Sequence, residues 1–524
     1  MTVTKPELAV GSLTRFVNTS IDNGLIEEDG RTEPEALKER VLELLNYSIL
    51  NIPAYATAVK ALNVPTIQTW SDFKESMPFL DKKNFINVYP LNERCVNGDM
   101  SRFDFLHVSS GSGGVPTLWG RFSNDELVIA ARFEQIMHDS FLCHKRKTLA
   151  MICFPLGTWV GGLFTTVCMR YLAMKGYPIT LVCPGNDVAE ILRVSKMLCP
   201  MFEQTVVLGY PPFCKTFIDA GRGQGIPWQS YNLKMVFAGE VFSEEWRNLV
   251  ATRAGIKSPK SDIHSIYGTA DAGVLACESV LSTHIRGWLA SNPAIAKELF
   301  QRDRLPSLMQ YDPFCRFMEM THENTIAFTT VPPKASTEEG GLEAVIAPLI
   351  RYSIGDSGNI MSFDDMIKFC MDRGFDALRA VGSMSADLQT IRKLPFVWVF
   401  GRAFWTVSLY GANVYVDNVM VGLEQSSVSD HVTGKFVLYV AKDANEDSIL
   451  AVIVELAPKA VDSDTLKSAI AASIRDELIK LNSEYGHYVP KEYQLPMVTL
   501  LPYGDPTRFK IGVKHQYIQD DLMK

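Results

Sequence analysis

Ser109-Ser-Gly-Ser-Gly-Gly114 places six hydroxyl- or glycine-bearing positions in a row, with Pro116 and Thr117 close behind. Glycines let backbone N–H groups turn outward and approach a ligand, because no Cβ stands in the way. Successive N–H groups in such a turn form a concavity for anionic oxygens, and serine hydroxyls add donors. Phosphate is the ligand this pattern suits. A flexible surface turn has the same composition. It is not a Walker loop, since the G-x-x-x-x-G-K-[ST] spacing fails and no lysine follows the glycines. Two other short runs, Ala238-Gly-Glu240 and Tyr267-Gly-Thr269, also follow strand-like stretches. In open sheets covered by helices, ligands bind beyond the carboxyl ends of strands, so these runs can converge on one edge.

The elements that must position them read as an α/β alternation. Apolar runs at Leu149–Phe154, Pro178–Val182, Thr205–Leu208, Lys234–Ala238 and Ile263–Ile266 predict strands. Helical patterns lie between them, at Val188–Leu198, Pro212–Gly221 and Glu244–Ala254. This spacing predicts a mixed or parallel sheet covered on both faces. Thr148 to Met169 carries no charged residue and is long enough to span a bilayer. Pro155, Gly157, Gly161 and Gly162 interrupt it, so it reads as a buried strand, a turn and a buried helix, with no membrane span expected. Residues 1–30 read as a polar surface arm. Thr32, Pro34 and Glu35 open a helix with Thr32 as its cap. Residues 340–350 read as a glycine turn and a strand. Beyond Gly401-Arg402 the character changes: strands at Lys435–Ala441, Ile449–Leu456 and Met497–Leu501 surround an amphipathic helix over Ser463–Leu481. The expected organisation is a large N-terminal α/β domain over residues 1–400 and a small mobile C-terminal α+β domain over 401–524.

With 524 residues, 47% hydrophobic and 21% charged, the chain can build large cores. A net charge of −8 without a Lys/Arg run argues against a nucleic-acid surface. Ten scattered cysteines without a C-x-x-C pair, and a first ten residues that carry Lys5 and Glu7, predict a reduced, cytoplasmic protein without a secretory signal. Cys277 and His284 match no standard zinc spacing.

Taken together, the pieces resemble the adenylate-forming superfamily, and within it the phenylacetate–coenzyme A ligase branch. Ser109-Ser-Gly-Ser-Gly-Gly-Val-Pro-Thr117 is similar to its SSGTTGKPT phosphate loop, Phe237-Ala-Gly-Glu240 to its GAE segment and Tyr267-Gly-Thr-Ala-Asp271 to YGxTE. Arg351-Tyr-Ser-Ile-Gly-Asp356 is similar to RYRTGD, Gly401-Arg402 to the hinge, Tyr410-Gly-Ala-Asn413 to RGxN and Met77-Pro-Phe-Leu-Asp-Lys-Lys83 to LPFTTK. The resemblance runs from about residue 40 to 518.

The resemblance implies a reaction in which ATP and a carboxylic acid give an acyl-adenylate and pyrophosphate. The acyl group then passes to an acceptor: coenzyme A, an amine or ammonia, or a carrier thiol. It also implies roles. Ser109, Ser110, Gly111, Ser112, Gly113 and Gly114 grip the β- and γ-phosphates. Ala238, Gly239 and Glu240 form the adenine segment, and Tyr267 with Gly268 presents a face to adenine. Thr269 donates to the α-phosphate, Asp271 holds Mg²⁺, Asp356 accepts from the ribose hydroxyls, and Arg402 reaches the same ribose. Lys514 or Lys510 serves as the C-terminal catalytic lysine. By position, Phe154, Trp159, Tyr210 and Phe237 line the acyl pocket. The chain departs from the pattern at Val115 (lysine in the family), Ala270, Asp271 (one methylene shorter), Phe404 and Val513. AMP transfer to a small molecule and a catalytically silent nucleotide-binding protein are the other readings.

Overall fold

The computed structural model describes residues 5–23, 26–108, 117–157, 160–239, 241–302, 305–332, 342, 345–384, 390–402, 406–409, 412–442, 448–482, 485–486, 489–510 and 515–518. An eleven-stranded mixed sheet organises the larger part. Its order runs Arg316–Met320, Thr325–Thr330, Tyr352–Met361, Phe396–Arg402, Ser307–Gln310, Gly273–Cys277, Ile263–Thr269, Leu233–Ala238, Gln204–Gly209, Thr148–Ile152, Ile179–Val182. The last five are parallel to one another, and the rest pair antiparallel. Strand Leu233–Ala238 shows why the parallel half reads as continuous apolar runs. Leu233, Met235 and Phe237 enter one core, while Val236 and Ala238 enter the other, so both faces are covered.

The predicted strands and the helices Val188–Leu198 and Glu244–Ala254 stand within a few residues of their expected bounds. Thr148–Met169 is a buried strand, a turn and the helix Val160–Met174. Among the described residues no helix is long and apolar enough to cross a membrane.

Three expectations need correction. Residues 5–18 are no surface arm: helix Lys5–Asn18 buries Leu8, Ser12 and Phe16, and Phe16 joins the core beside helix Ser123–Gln135. These residues are spaced four apart, so a single stripe lies hidden in a polar average. Helix Glu35–Asn51 has Pro34, not Thr32, at its N-cap, with no side-chain cap. Residues 345–350 form no strand; pairing begins at Tyr352.

Strand Phe396–Arg402 closes the large sheet's run along the sequence. Beyond it, strands Val432–Lys442, Ser448–Leu456 and Met497–Leu501 form a separate three-stranded sheet. Helices Val416–Glu424 and Asp464–Leu481 complete a core with that sheet, centred on Val419, Leu438, Val452, Ile470 and Ile474.

Candidate functional site

Four neighbouring parallel strands deliver residues to one edge. Phe154 follows Thr148–Ile152, Tyr210 follows Gln204–Gly209, Gly239 follows Leu233–Ala238, and Tyr267, Gly268 and Thr269 end Ile263–Thr269. The Phe154 and Tyr210 rings meet edge-to-face at 5.0 Å. Gly239 adopts φ +82°, and a Cβ there would lie 2.8 Å from the Tyr210 ring. Both the conformation and the close approach require glycine. Ala238 packs in the same core as Phe154 and Tyr210. Phe237, expected in the acyl pocket, points to the opposite face. It is fully buried against Phe242 and Trp246, because side chains alternate along the strand.

Thr269 leads into a tight hairpin, with Thr269 opposite Gly273 and a bulge between Tyr267 and Gly268. The Ala272 N–H donates to Thr269 Oγ1 at 3.0 Å, which leaves the hydroxyl proton to point outward. Two guanidiniums hold the hairpin's carbonyls. Arg121 Nη2 donates to Ala270 O and Asp271 O at 2.7 and 2.6 Å, and Arg316 Nη2 to Ala272 O at 2.9 Å. Asp271 is buried, and its Oδ2 accepts from the Tyr352 hydroxyl at 2.8 Å. Burial and then the Asp271 charge push the Tyr352 phenol far above its ordinary range, so it remains a donor.

The next strand brings its own carboxylate. Tyr267 OH donates to Asp356 Oδ2 at 2.7 Å, and Asp356 stands opposite Arg402 in the antiparallel register. Tyr267, Asp356 and the backbone of Arg402 therefore meet. Arg351 and Asp356, five residues apart, divide their labour. Arg351 adopts φ +48° and points away from the edge. Its Nη1 donates to the carbonyls of Phe73, Lys74 and Met77, its Nη2 to Glu319 at 3.1 Å, and its guanidinium lies 4.1 Å from the Phe79 ring. It thus fastens the 77–83 stretch to the sheet, where Leu80 bridges to Tyr352.

Ser109, Ser110, Gly111, Ser112, Gly113, Gly114, Trp159, Glu240 and Lys514 lie outside the described residues, as does the side chain of Arg402. The strands on either side of the Gly/Ser run, Phe105–Val108 and Leu118–Arg121, pair antiparallel with His107 opposite Trp119. Lys510 is exposed, next to Phe509, which is buried against Val437 and Ile453. Cys277 donates to Gln135, and His284 Nδ1 lies 2.7 Å from Val280 O. Arg94, Trp119, Arg121 and Tyr352 were missed at the sequence level. Position pointed to Arg121, just past the Gly/Ser run, and to Tyr352, inside the Arg351–Asp356 run.

No protein-family model matches the sequence, and no curated protein matches it. Solved structures do match. A 2-hydroxyisobutyryl-CoA ligase in the postadenylation state, in complex with R3-HIB-AMP, superposes with a TM-score of 0.63 at 14% identity, covering 94% of this chain and 91% of that one. This chain shares the fold of that ligase. The same ligase with 2-HIB-AMP and CoA gives 0.51 at 13% identity in its thioesterification state, covering 94% of this chain and 91% of that one. Its open conformation gives 0.50 at 14% identity, covering 95% and 98%.

Proposed function

We propose that this protein is an ATP-dependent, AMP-forming ligase that activates a carboxylic acid as its acyl-adenylate and passes the acyl group to an acceptor, with coenzyme A the first candidate. The observation that carries the reading is the meeting of Tyr267 and Asp356 at 2.7 Å beside the Thr269–Asp271 hairpin. An ionised carboxylate is an acceptor only, which suits two ribose hydroxyls, and the Tyr267 ring beside it offers a face for the base. Thr269 keeps a hydroxyl proton for the α-phosphate, where charge develops during adenylation. Its position is fixed in advance by Ala272, Arg121 and Arg316, so little reorganisation is needed at the moment of reaction. Asp271 is a single oriented carboxylate, which fits the usual way Mg²⁺ is held, by one or two carboxylates plus phosphate oxygens. Bound there, the ion would neutralise phosphate charge. Phe154 and Tyr210 would take the apolar part of the acid, and Lys514 or Lys510 would reach the reacting carboxylate as a point charge.

The test is pyrophosphate release from ATP and Mg²⁺ against a panel of aryl, fatty and amino acids, with Asp356→Ala and Lys514→Ala alongside. Release with one acid, lost in both variants, is expected. Adding coenzyme A or ammonia then separates a thioester product from an amide. ATP binding without release from any acid would overturn the ligase reading.

A further inference from the structure

The Gly/Ser run is carried by a ribbon with little of its own to hold it. Strands Phe105–Val108 and Leu118–Arg121 form a two-stranded sheet apart from the eleven-stranded one, and an isolated pair of this length is marginal in water. Phe105, Leu106 and Leu118 are exposed. His107 and Trp119 are buried, but both imidazole nitrogens and the indole N–H meet no partner, which costs stability. The ribbon is fastened at its base instead. Asp104 donates its N–H to Arg121 O at 2.8 Å. Its Oδ2 accepts the N–H of Ser123, the first residue of helix Ser123–Gln135, at 2.9 Å. Helix Lys5–Asn18 closes this base from outside. An ammonium has three donors, and Lys5 spends them on Ser101 O at 3.0 Å, Phe103 O at 3.0 Å and Asp104 Oδ1 at 2.8 Å. Leu8 packs with Cys95, Phe122 and Ile346, and Phe16 enters the core beside Leu127, so a seated helix presents that ammonium.

Lys5 also balances charge. Burial raises the carboxyls of Asp125 and Glu126, and the charge of Asp104 adds to both rises. Without Lys5, Asp104 would lose its ion-pair partner beside two more carboxyls, and the base would loosen. Each strand of the ribbon has four residues, so at about 3.4 Å per residue the base stands about 14 Å from the Gly/Ser run. Lys5 therefore touches no nucleotide and acts through the ribbon. We propose that Lys5 is a positioning residue for the nucleotide triphosphate: it braces the base of the ribbon and so holds the Gly/Ser run ready for the β- and γ-phosphates. The proposal rests on the adenylation reading, in which that run grips these phosphates. A brace of this kind reduces the ordering that binding must otherwise supply. It acts on triphosphate affinity, and AMP, which lacks both outer phosphates, is indifferent to it.

The test is calorimetric titration of the full chain with α,β-methylene-ATP and Mg²⁺, and separately with AMP, for wild type, Lys5→Met and Lys5→Arg. Lys5→Met is expected to weaken the triphosphate analogue about tenfold and to leave AMP within about twofold, and Lys5→Arg to recover most of the loss. The melting temperature of Lys5→Met is expected within about 2 °C of wild type, since a partly exposed pair adds little to global stability. Lys5→Gln keeps the stem and loses the charge, so the test stands if Lys5→Met fails to fold. Equal loss of both ligands, as a general loosening would give, would overturn the proposal. So would unchanged affinity for the analogue, or no binding of it to the wild type. Pyrophosphate release separates this proposal from the reading beneath it. Acid-dependent release with the same KM for ATP in wild type and Lys5→Met would sink the brace and leave the ligase reading standing. Analogue binding weakened in Lys5→Met, with no release from any acid, would do the reverse.

Discussion

Arg247 and Arg286 are buried even more deeply than Arg94 and Arg121, yet their surroundings are opposite. Arg247 is fully buried and meets Glu278 at 2.7 Å and Glu244 at 3.2 Å. Arg286 pairs with Glu244 and donates to the carbonyls of Phe242 and Pro306, both at 2.8 Å. The other oxygen of Glu278 accepts the Ser265 N–H at 2.7 Å. The net links helix Glu244–Ala254, helix Val280–Ala290 and strand Ile263–Thr269. Attraction within it holds Arg247 above its ordinary value and Glu244 below its own, despite burial. Around Arg94 and Arg121 no described carboxylate comes within ion-pair distance; Asp271, and for Arg121 Asp125, act from further off, and burial wins. Charge matched by carboxylates within the chain makes a scaffold, whereas Arg94 and Arg121 are held by backbone carbonyls alone.

The contrast breaks if the two groups respond alike to substitution. Arg247→Met leaves the buried Glu278 without its cation while Glu244 keeps Arg286, and removing one partner of such a pair costs about 3–5 kcal/mol. The urea midpoint is expected to fall accordingly. Arg94→Met removes a charge that no carboxylate pairs, so it costs far less. Equal losses in the two variants would refute the distinction.

At the sheet edge the expected loss is of activity. Asp356→Ala removes the acceptor of Tyr267 and the proposed ribose contact. Charged hydrogen bonds are worth about 1.5–3 kcal/mol each, so kcat/KM for ATP is expected to drop roughly a hundredfold to a thousandfold. Tyr267→Phe keeps the ring and is expected to lose about tenfold. A Tyr267→Phe variant as poor as Asp356→Ala would place the whole effect in the tyrosine's positioning.

Gly239→Ala tests the backbone beneath the site. It forces a side chain into a left-handed conformation and to 2.8 Å from Tyr210. About 1–2 kcal/mol of strain follows from the conformation alone. Tyr210→Leu in the same chain is expected to restore the part that comes from the ring, read as melting temperature.

How far the sequence carried follows from range. The parallel half was legible because each strand is a short apolar run punctuated by turns, as at Gln204–Gly209, which is buried at every position. Tyr267, Thr269, Asp271 and Asp356 were legible through resemblance, since each sits in a short motif. Tyr352 was quoted within its motif, but its bond to Asp271 spans 81 residues of sequence and no local spacing reports it. Arg351 was grouped with Asp356 although it serves the helix Trp70–Ser76. Phe237 misled because an aromatic beside a motif does not say which face of its strand is wet. Arg94 and Trp119 were silent for the same reason as Tyr352, because a missing partner is visible only in space.

Glu424 extends the comparison to the opposite sign. It ends helix Val416–Glu424, which packs on helix Glu244–Ala254, and it accepts from the Ser243 hydroxyl through Oε2, while Oε1 is buried without a partner. Nearby, Lys215 donates to the carbonyls of Ser429 and Val432, and Arg253 pairs with Asp219 and Asp430, so the contact's other charges are matched. Burial raises the Glu424 carboxyl to about 8 from 4.5; Glu245 and Asp417 add to the rise, and Ser243 and Arg286 oppose it. The folded state therefore binds a proton that the unfolded state releases between these values. Stability is fully present below about 4.5 and declines as pH rises to about 8. Glu424→Gln keeps the shape and cannot ionise. Its melting temperature is expected to stay level where the wild type loses about 1 kcal/mol between pH 7 and 8. Parallel curves for the two proteins would mean that the carboxyl is already charged at neutral pH, and that this contact tolerates an unmatched charge without a ligand to balance it.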